Sequence, residues 1–494
     1  MTLSDTLKAN RRTVAAVVAV VLLALLLRLY SIDWSYSNNG IDEGIMVERV
    51  LMVDAGYSLY SDIPCDQSPL SFYLGSLLWG DVVSLRVFTA LASVLAMGAC
   101  MVVARRIGGS SAMVATGLLL AVDFALLRES RTFSLDGHAS FFLAFSLLAF
   151  STYLARGNRT YLVATGLLIG LAASSKLLAC LGLVGVLLFI VMEVRGRRTS
   201  LRDGIYDALM VTAASAAPIV LLMLALGPSE MVDGILLSQM NRGFDPFLKL
   251  SVAAYFGLCL AYALPLVFFR RLWRLGPQTR FLLCGTVPIL AFMVLQSLVF
   301  LHHMVLLSPY LAILSGVLLS TAIERKMMPT DIDRMPTSMK RDRTIRRAVL
   351  AVFVAGVFVS SGLGVYGMIA QEEPAQVAYA RMLETLTDEG DWVVSGDPMI
   401  AAMAGCLVPP DVINVAYRQD SDLTLERLEA AISEYDVRAV VVCYQLNDIT
   451  GLAGFLSDAG FHRVMSEVHS VPDSAVLDLF QDGIGPVSFY VRNT

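Results

Sequence analysis

From residue 13 to residue 368 the chain is a succession of apolar runs near 20 residues each, separated by short charged loops. One such run crosses the roughly 30 Å hydrocarbon core of a bilayer as a helix, and a chain holding many of them has no water-soluble fold open to it. Candidate spans lie near 13–30, 82–104, 111–127, 139–155, 160–175, 177–193, 205–227, 251–269, 281–300, 304–322 and 348–368. The expected fold is therefore an α-helical polytopic membrane protein of about eleven transmembrane helices. A shorter apolar piece, Leu70 to Trp79, reads as a surface or re-entrant helix. The first run, Val14 to Leu29, follows Lys8, Arg11 and Arg12 as a signal peptide would, but no small-residue cleavage site follows it. It reads as an uncleaved first span.

Composition divides the chain in two. Only 16% of residues are charged, against about 25% in soluble domains, and the deficit ends at Gln371, where the sequence turns ordinary and acidic. Residues 1–370, with an outer loop at 31–81, read as the membrane domain, and 371–494 as a small soluble domain. In the latter, Trp392–Ser395 and Arg438–Cys443 read as strands, and Leu423–Ile432 and Leu452–Ala459 as helices. That alternation predicts a small parallel α/β unit. Four of the seven cysteines lie in apolar runs, and no Cys/His spacing suits zinc. A disulfide between Cys406 and Cys443 is possible on sequence alone.

Basic residues set the expected orientation. Alternate loops, beginning with Lys8, Arg11 and Arg12 and ending with the run Arg325 to Arg347, hold 23 of them. The opposite set, Arg28, Arg49, Arg86, Arg128, Arg131, Lys176, Arg242 and Lys249, holds 8. The positive-inside bias places the N-terminus in the cytoplasm, and an odd number of spans places the C-terminal domain outside, in an integral protein of the plasma membrane. The arginines sit in short clusters at helix ends, which is not a nucleic-acid surface.

The unusual polar residues fall on the outer side. Asp42 and Glu43 follow the first span. One of them could face a cavity while the other caps a helix over Ile45–Asp54, or both could form that helix's first turn and complement its dipole. Tyr60 and Asp62 could bind a sugar or a metal, or form a turn leading to Cys65-Asp66-Gln67-Ser68-Pro69-Leu70 and the short helix. Arg128 and Arg131 suit a phosphate site, since guanidinium forks match phosphate oxygens; a salt-bridged cluster with Glu129 and Asp136 is the other reading. Lys176 could pair with a phosphate or snorkel to water, and His302 and His303 begin the tenth span.

In this order the residues resemble the GT-C superfamily of integral-membrane glycosyltransferases, in particular its protein O-mannosyltransferase and aminoarabinose-transferase-like branch. The matching motifs are Asp42-Glu43, Tyr60-Ser61-Asp62, Ser68-Pro69-Leu70, Arg131 with Asp136, the small-residue stretch Ala172 to Lys176, and His302-His303 with Ser308-Pro309-Tyr310. They cover roughly residues 10–320. Many relatives place an acid and a lysine before Pro-Pro in the first loop, whereas this chain has Asp66-Gln67-Ser68-Pro69. Gln67 carries no charge, so phosphate binding would rest more on Arg128, Arg131 or Lys176.

The resemblance implies transfer of a sugar from a polyprenyl-phosphate-linked donor to an acceptor hydroxyl at the outer face, by inverting displacement. Asp42 would be the general base, and Glu43 a supporting or metal-binding group. Arg128, Arg131, Asp136, Lys176, Tyr60, Asp62, Asp66, Gln67, His302 and His303 would hold the donor's phosphate and sugar. The partners would be the lipid donor, membrane lipid, and a protein, glycan or glycolipid acceptor. A divalent cation is possible; no nucleotide cofactor is expected, in keeping with the lack of a Gly-rich phosphate loop. The other classes are a lipid or sugar transporter or flippase, which would show internal repeats and mid-span charges, and a non-catalytic assembly subunit.

Overall fold

A computed structural model describes residues 3–34, 40–78, 81–237, 249–296, 299–327, most of 351–369, 373–413, 424–468 and 486–492. Six of its helices are long and apolar enough to cross a membrane, and up to seven if a bent pair counts as one span. The pair is Leu250–Leu258 with Leu260–Val267, bent by 108° where the sequence predicts one continuous span. Thr160–Ser175 and Ser308–Thr321 are apolar but shorter.

The first helix, α1, runs Leu3–Leu29. The chain then forms α2 (Gly40–Asp54) and α3 (Leu70–Ser76), the latter preceded by Pro69 at its N-cap. Next is a 40-residue helix, α4 (Val82–Ala121). At 1.5 Å per residue it would be about 60 Å long, twice a bilayer core. It is broken at Gly108 and Gly109, where Gly109 adopts φ 73°, beside Arg105 and Arg106. Two spans separated by a basic turn are expected there from the sequence.

A short helix, α5 (Phe124–Glu129), leads to α6 (Leu135–Arg156), then α7 (Thr160–Ser175), α8 (Leu181–Arg195) and α9 (Leu201–Leu226). Side-chain caps begin several of these helices. Asp81 accepts from the Ser84 N–H, Asp123 from that of Leu126, Ser134 from that of Gly137 and Ser200 from that of Asp203, each satisfying a donor the helix leaves open.

Two buried arginines close the C-terminal end of α1. Arg28 donates to the carbonyls of Ala24, Leu120 and Ala121 and to Ser93 Oγ. Arg131 donates to the carbonyls of Leu27 and Ser31. The carbonyls of Leu27, Leu120 and Ala121 lie in the last turns of α1 and α4, where intrahelical donors run out.

The C-terminal domain carries a four-stranded sheet in the order β1-β2-β4-β3, with β1 Trp392–Ser395, β2 Val437–Val442, β3 Phe461–Val468 and β4 Pro486–Arg492. Only β1 and β2 are parallel; β4 pairs antiparallel with both β2 and β3. The sheet is thus mixed, not the parallel unit expected, because the chain after Leu452–Asp458 returns as two antiparallel strands that the sequence reading missed. Cys406 and Cys443 are buried free thiols, which removes the possible disulfide.

Helix α2 shares one apolar core with this domain. Val47, Val50 and Met52 pack in the same cluster as Val393, Met399, Ile400, Val440 and Phe489. Gly44 lies so close to the domain that a Cβ there would collide with the backbone nitrogen of Met399. Glu48, fully buried, accepts the Val408 N–H at 3.1 Å. Burial pushes its carboxyl well above the ordinary value, against the pull of the Val408 N–H.

Candidate active site

The first turn of α2 sends its two acids in different directions, as a 100° step per residue requires. Asp42 is exposed. Glu43 is buried and bidentate with Arg86, which donates Nε to Oε1 at 2.8 Å and Nη2 to Oε2 at 2.7 Å. Glu43 Oε1 also accepts the Phe133 N–H at 2.8 Å, while Arg86 Nη1 reaches the carbonyls of Ile32 and Asp33. Arg86 Nη2 lies 3.8 Å from Met399 Sδ. One ion pair therefore ties α2 to the start of α4, to the loop after α1, to the segment before α6 and to the C-terminal domain.

A second network runs beside it. Arg49 donates to Asp66 at 3.2 Å. Gln67 donates Nε2 to Asp66 Oδ2 at 3.2 Å and accepts from Lys176 Nζ at 3.0 Å. Lys176 in turn lies 3.3 Å from Asp136 Oδ2. Tyr60 donates its hydroxyl to the Gln67 carbonyl at 2.7 Å. The donor positions of an acid–lysine pair are thus rebuilt from two elements: Gln67 lacks a charge, but the ammonium of Lys176, arriving from the end of α7, sits on its side chain.

Beyond Lys176 the network reaches the histidines. Asp136, His302 and His303 present ligand atoms that all lie within 4.8 Å of one another. Imidazole and carboxylate are ligands suited to a zinc- or manganese-like cation with bonds of about 2.0–2.2 Å, so a small inward movement would let this trio hold a divalent cation. Asp136 Oδ1 is buried with no hydrogen-bond partner, which leaves a lone pair available. Desolvation, and then His303, hold the His302 imidazole well below its usual value, so it is neutral, as a ligand must be.

Glu129 closes the cluster. It accepts from Ser134 Oγ at 2.5 Å and faces Arg128 Nε at 3.6 Å. Burial raises its carboxyl to about 7 against the pull of Arg128, with Asp136 and Asp42 adding to the rise. That influence places Asp42 in electrostatic reach of the cluster.

The structure thus brings together Tyr60, Asp66, Gln67, Lys176, Asp136, His302 and His303, with Arg128 alongside. It directs others elsewhere. Asp62 accepts the Ser58 N–H in an exposed turn, Arg131 holds the end of α1, and Glu43 holds Arg86. The sequence reading did not foresee a role for Arg49, Arg86 or Glu48. Arg86 is a lone charge at the start of an apolar helix, and Glu48 and Arg49 are an adjacent pair between apolar residues of α2; charges in such buried segments are the signal that would have found them.

Over residues 68–222 the chain matches the family model described as dolichyl-phosphate-mannose-protein mannosyltransferase. No curated protein sequence matches it. Among solved structures, ArnT from Cupriavidus metallidurans bound to undecaprenyl phosphate is similar with a TM-score of 0.60 at 16% identity, over 98% of both chains. The same protein in the apo state gives 0.63 at 16% identity, again over 98% of both chains. The archaeal oligosaccharyltransferase AglB from Archaeoglobus fulgidus, in complex with an inhibitory peptide and a dolichol-phosphate, gives 0.57 at 15% identity, over 89% of this chain and 70% of that one. At such identities the likeness establishes a shared fold.

Proposed function

We propose that this chain is a glycosyltransferase of the GT-C type that moves a sugar from a polyprenyl-phosphate-linked donor to an acceptor hydroxyl at the extracytoplasmic face. The observation that carries the reading is the continuous path Asp66–Gln67–Lys176–Asp136–His302/His303, set beside an exposed Asp42. It supplies cation for a phosphate and an accessible base in one cluster. The topology that fits is eleven spans, a cytoplasmic N-terminus, a membrane domain over 1–370 and an external domain over 371–494.

In the proposed step the acceptor oxygen attacks the anomeric carbon while Asp42 takes its proton. The bond from that carbon to the phosphate oxygen breaks, and its electron pair leaves on the phosphate. Lys176 and Arg128 meet the charge that develops there. A single displacement inverts the anomeric configuration. Glu43 positions α2 through Arg86, and Asp66, Gln67 and Tyr60 hold Lys176 in place. If Asp136, His302 and His303 hold a cation, it would add Lewis-acid stabilisation of the leaving phosphate.

The test is sugar transfer by the purified protein in lipid nanodiscs, with a radiolabelled polyprenyl-phosphate sugar. Asp42→Asn should cut kcat by about 10²–10⁴ while donor binding holds; full activity would remove Asp42 from the base role.

A further inference from the structure

Helices α8 and α9 are joined by a turn holding Arg195, Arg197, Arg198 and Arg202. Above it, between the two helices, lies a cavity of about 460 Å³ with apolar walls from Leu187, Ile190 and Val194 on one side and Ile205 and Ala208 on the other, and with Arg195 in its lining. The helices close tightly at Gly204, where any Cβ would press on Val194 Cγ2.

The charges around this cavity do not balance. Three acids lie nearby, and each is already paired. Glu193 binds Arg198 at 3.0 Å and Arg280 at 2.8 Å. Asp203 and Asp207 bind Arg159 at 2.9 and 2.8 Å. Among the described residues no carboxylate lies within ion-pair distance of Arg195, Arg197 or Arg202, and all three are exposed. Arg197 is held at φ 56°, in the left-handed region that few side chains adopt. An apolar slot opening onto several unpaired guanidinium groups fits an amphiphile with a long chain and an anionic head.

We propose that this groove is a binding site for an anionic diacyl phospholipid, with one acyl chain in the α8–α9 slot and the phosphate on Arg195, Arg197 and Arg202. Guanidinium forks recognise phosphate oxygens in pairs, and basic pockets between membrane helices select acidic head groups, each arginine contributing a factor of about five. The site lies in the loop set opposite Asp42 and Lys176, so it is separate from the proposed donor pocket, and its test does not depend on transfer activity.

The experiment reconstitutes the full-length protein in phosphatidylcholine nanodiscs containing a minor fraction of phosphatidylglycerol, then releases it for native mass spectrometry and counts retained lipids. Wild type should retain phosphatidylglycerol enriched about fivefold or more over the nanodisc ratio. Arg195→Gln/Arg197→Gln/Arg202→Gln should return retention to that ratio. Ile205→Trp, which narrows the slot and keeps the arginines, should reduce retention of both lipids. No enrichment in wild type overturns the proposal without recourse to any variant. So does a triple variant that retains as much phosphatidylglycerol as wild type, or selective retention of phosphatidylcholine.

Discussion

The Glu43–Arg86 pair can be tested as a structural strut. Both side chains are essentially inaccessible, at 1% and 0% exposure. In Glu43→Gln, the amide oxygen can still accept the Phe133 N–H, but the amide NH₂ then faces a guanidinium that has only donors. Breaking a buried pair from one side costs about 3–5 kcal/mol. Arg86 keeps its bonds to the carbonyls of Ile32 and Asp33, so the lower end of that range, about 3 kcal/mol, is expected. For a cooperative unit of about 150–250 residues this corresponds to a fall in Tm of about 6–12 °C.

Replacing both partners should recover part of the loss, since no uncompensated charge is then left buried. The double variant Glu43→Gln/Arg86→Met leaves no unpaired charge. The assay is a double-mutant cycle by thermal unfolding in nanodiscs, with sugar transfer measured on the same samples. A single variant within about 1 kcal/mol of wild type, or a double variant no more stable than the single, would refute the strut. A double variant that is stable yet inactive would give Glu43 a direct part in the chemistry.

Two other outcomes follow from the electrostatics. Burial raises the Glu129 carboxyl from 4.5 to about 7, so the folded state favours its protonated form; the contribution of this group to stability is greatest below pH 4.5 and falls by about 3 kcal/mol as pH rises from there through 7. Glu129→Gln should flatten that decline in a Tm-against-pH series, and an unchanged slope would refute the assignment. Lys176→Met should weaken polyprenyl-phosphate binding at least about tenfold and raise divalent-cation affinity at Asp136, His302 and His303, because the ammonium beside Asp136 is gone. Isothermal titration checks both, and parallel movement of the two affinities would contradict it.

The sequence announces the membrane helices because lipid allows no other way to satisfy twenty apolar residues' backbone groups. It also places α2 and α3 and the strands β1 and β2, whose apolar patterns are local. The bend in Leu250–Val267 was not legible, since a hydrophobic run looks the same whether straight or broken. Strands β3 and β4 were missed for another reason: β3 mixes His462, Arg463, Ser466 and Glu467 into an exposed face, and its partner lies beyond 469–485. For the site, the residue types were legible and their partners were not. Sequence order sets Arg131 with Asp136, whereas the fold gives Asp136 to Lys176 and Arg131 to the carbonyls of α1.

Those partnerships explain why Asp42 can be both exposed and fixed. An accessible base on a loop would lose its geometry to loop motion, and a base on a buried helix would lose access to the acceptor. Helix α2 avoids both, because its neighbours Glu43 and Gly44 and the buried Glu48 are anchored on faces other than that of Asp42, and Arg49, two turns further along, is anchored on the same face. Glu43 is clamped by Arg86, Gly44 rests against the Met399 backbone, Glu48 takes the Val408 N–H, and Arg49 holds Asp66. Four of the seven residues from 43 to 49 thus make these contacts, two to Arg86 and Asp66 and two to the C-terminal domain. Asp66 leads directly to Gln67 and Lys176. The helix that presents the proposed base therefore also sets the position of the proposed phosphate-binding cation, and it is itself held by a domain that contributes none of the residues in the cluster.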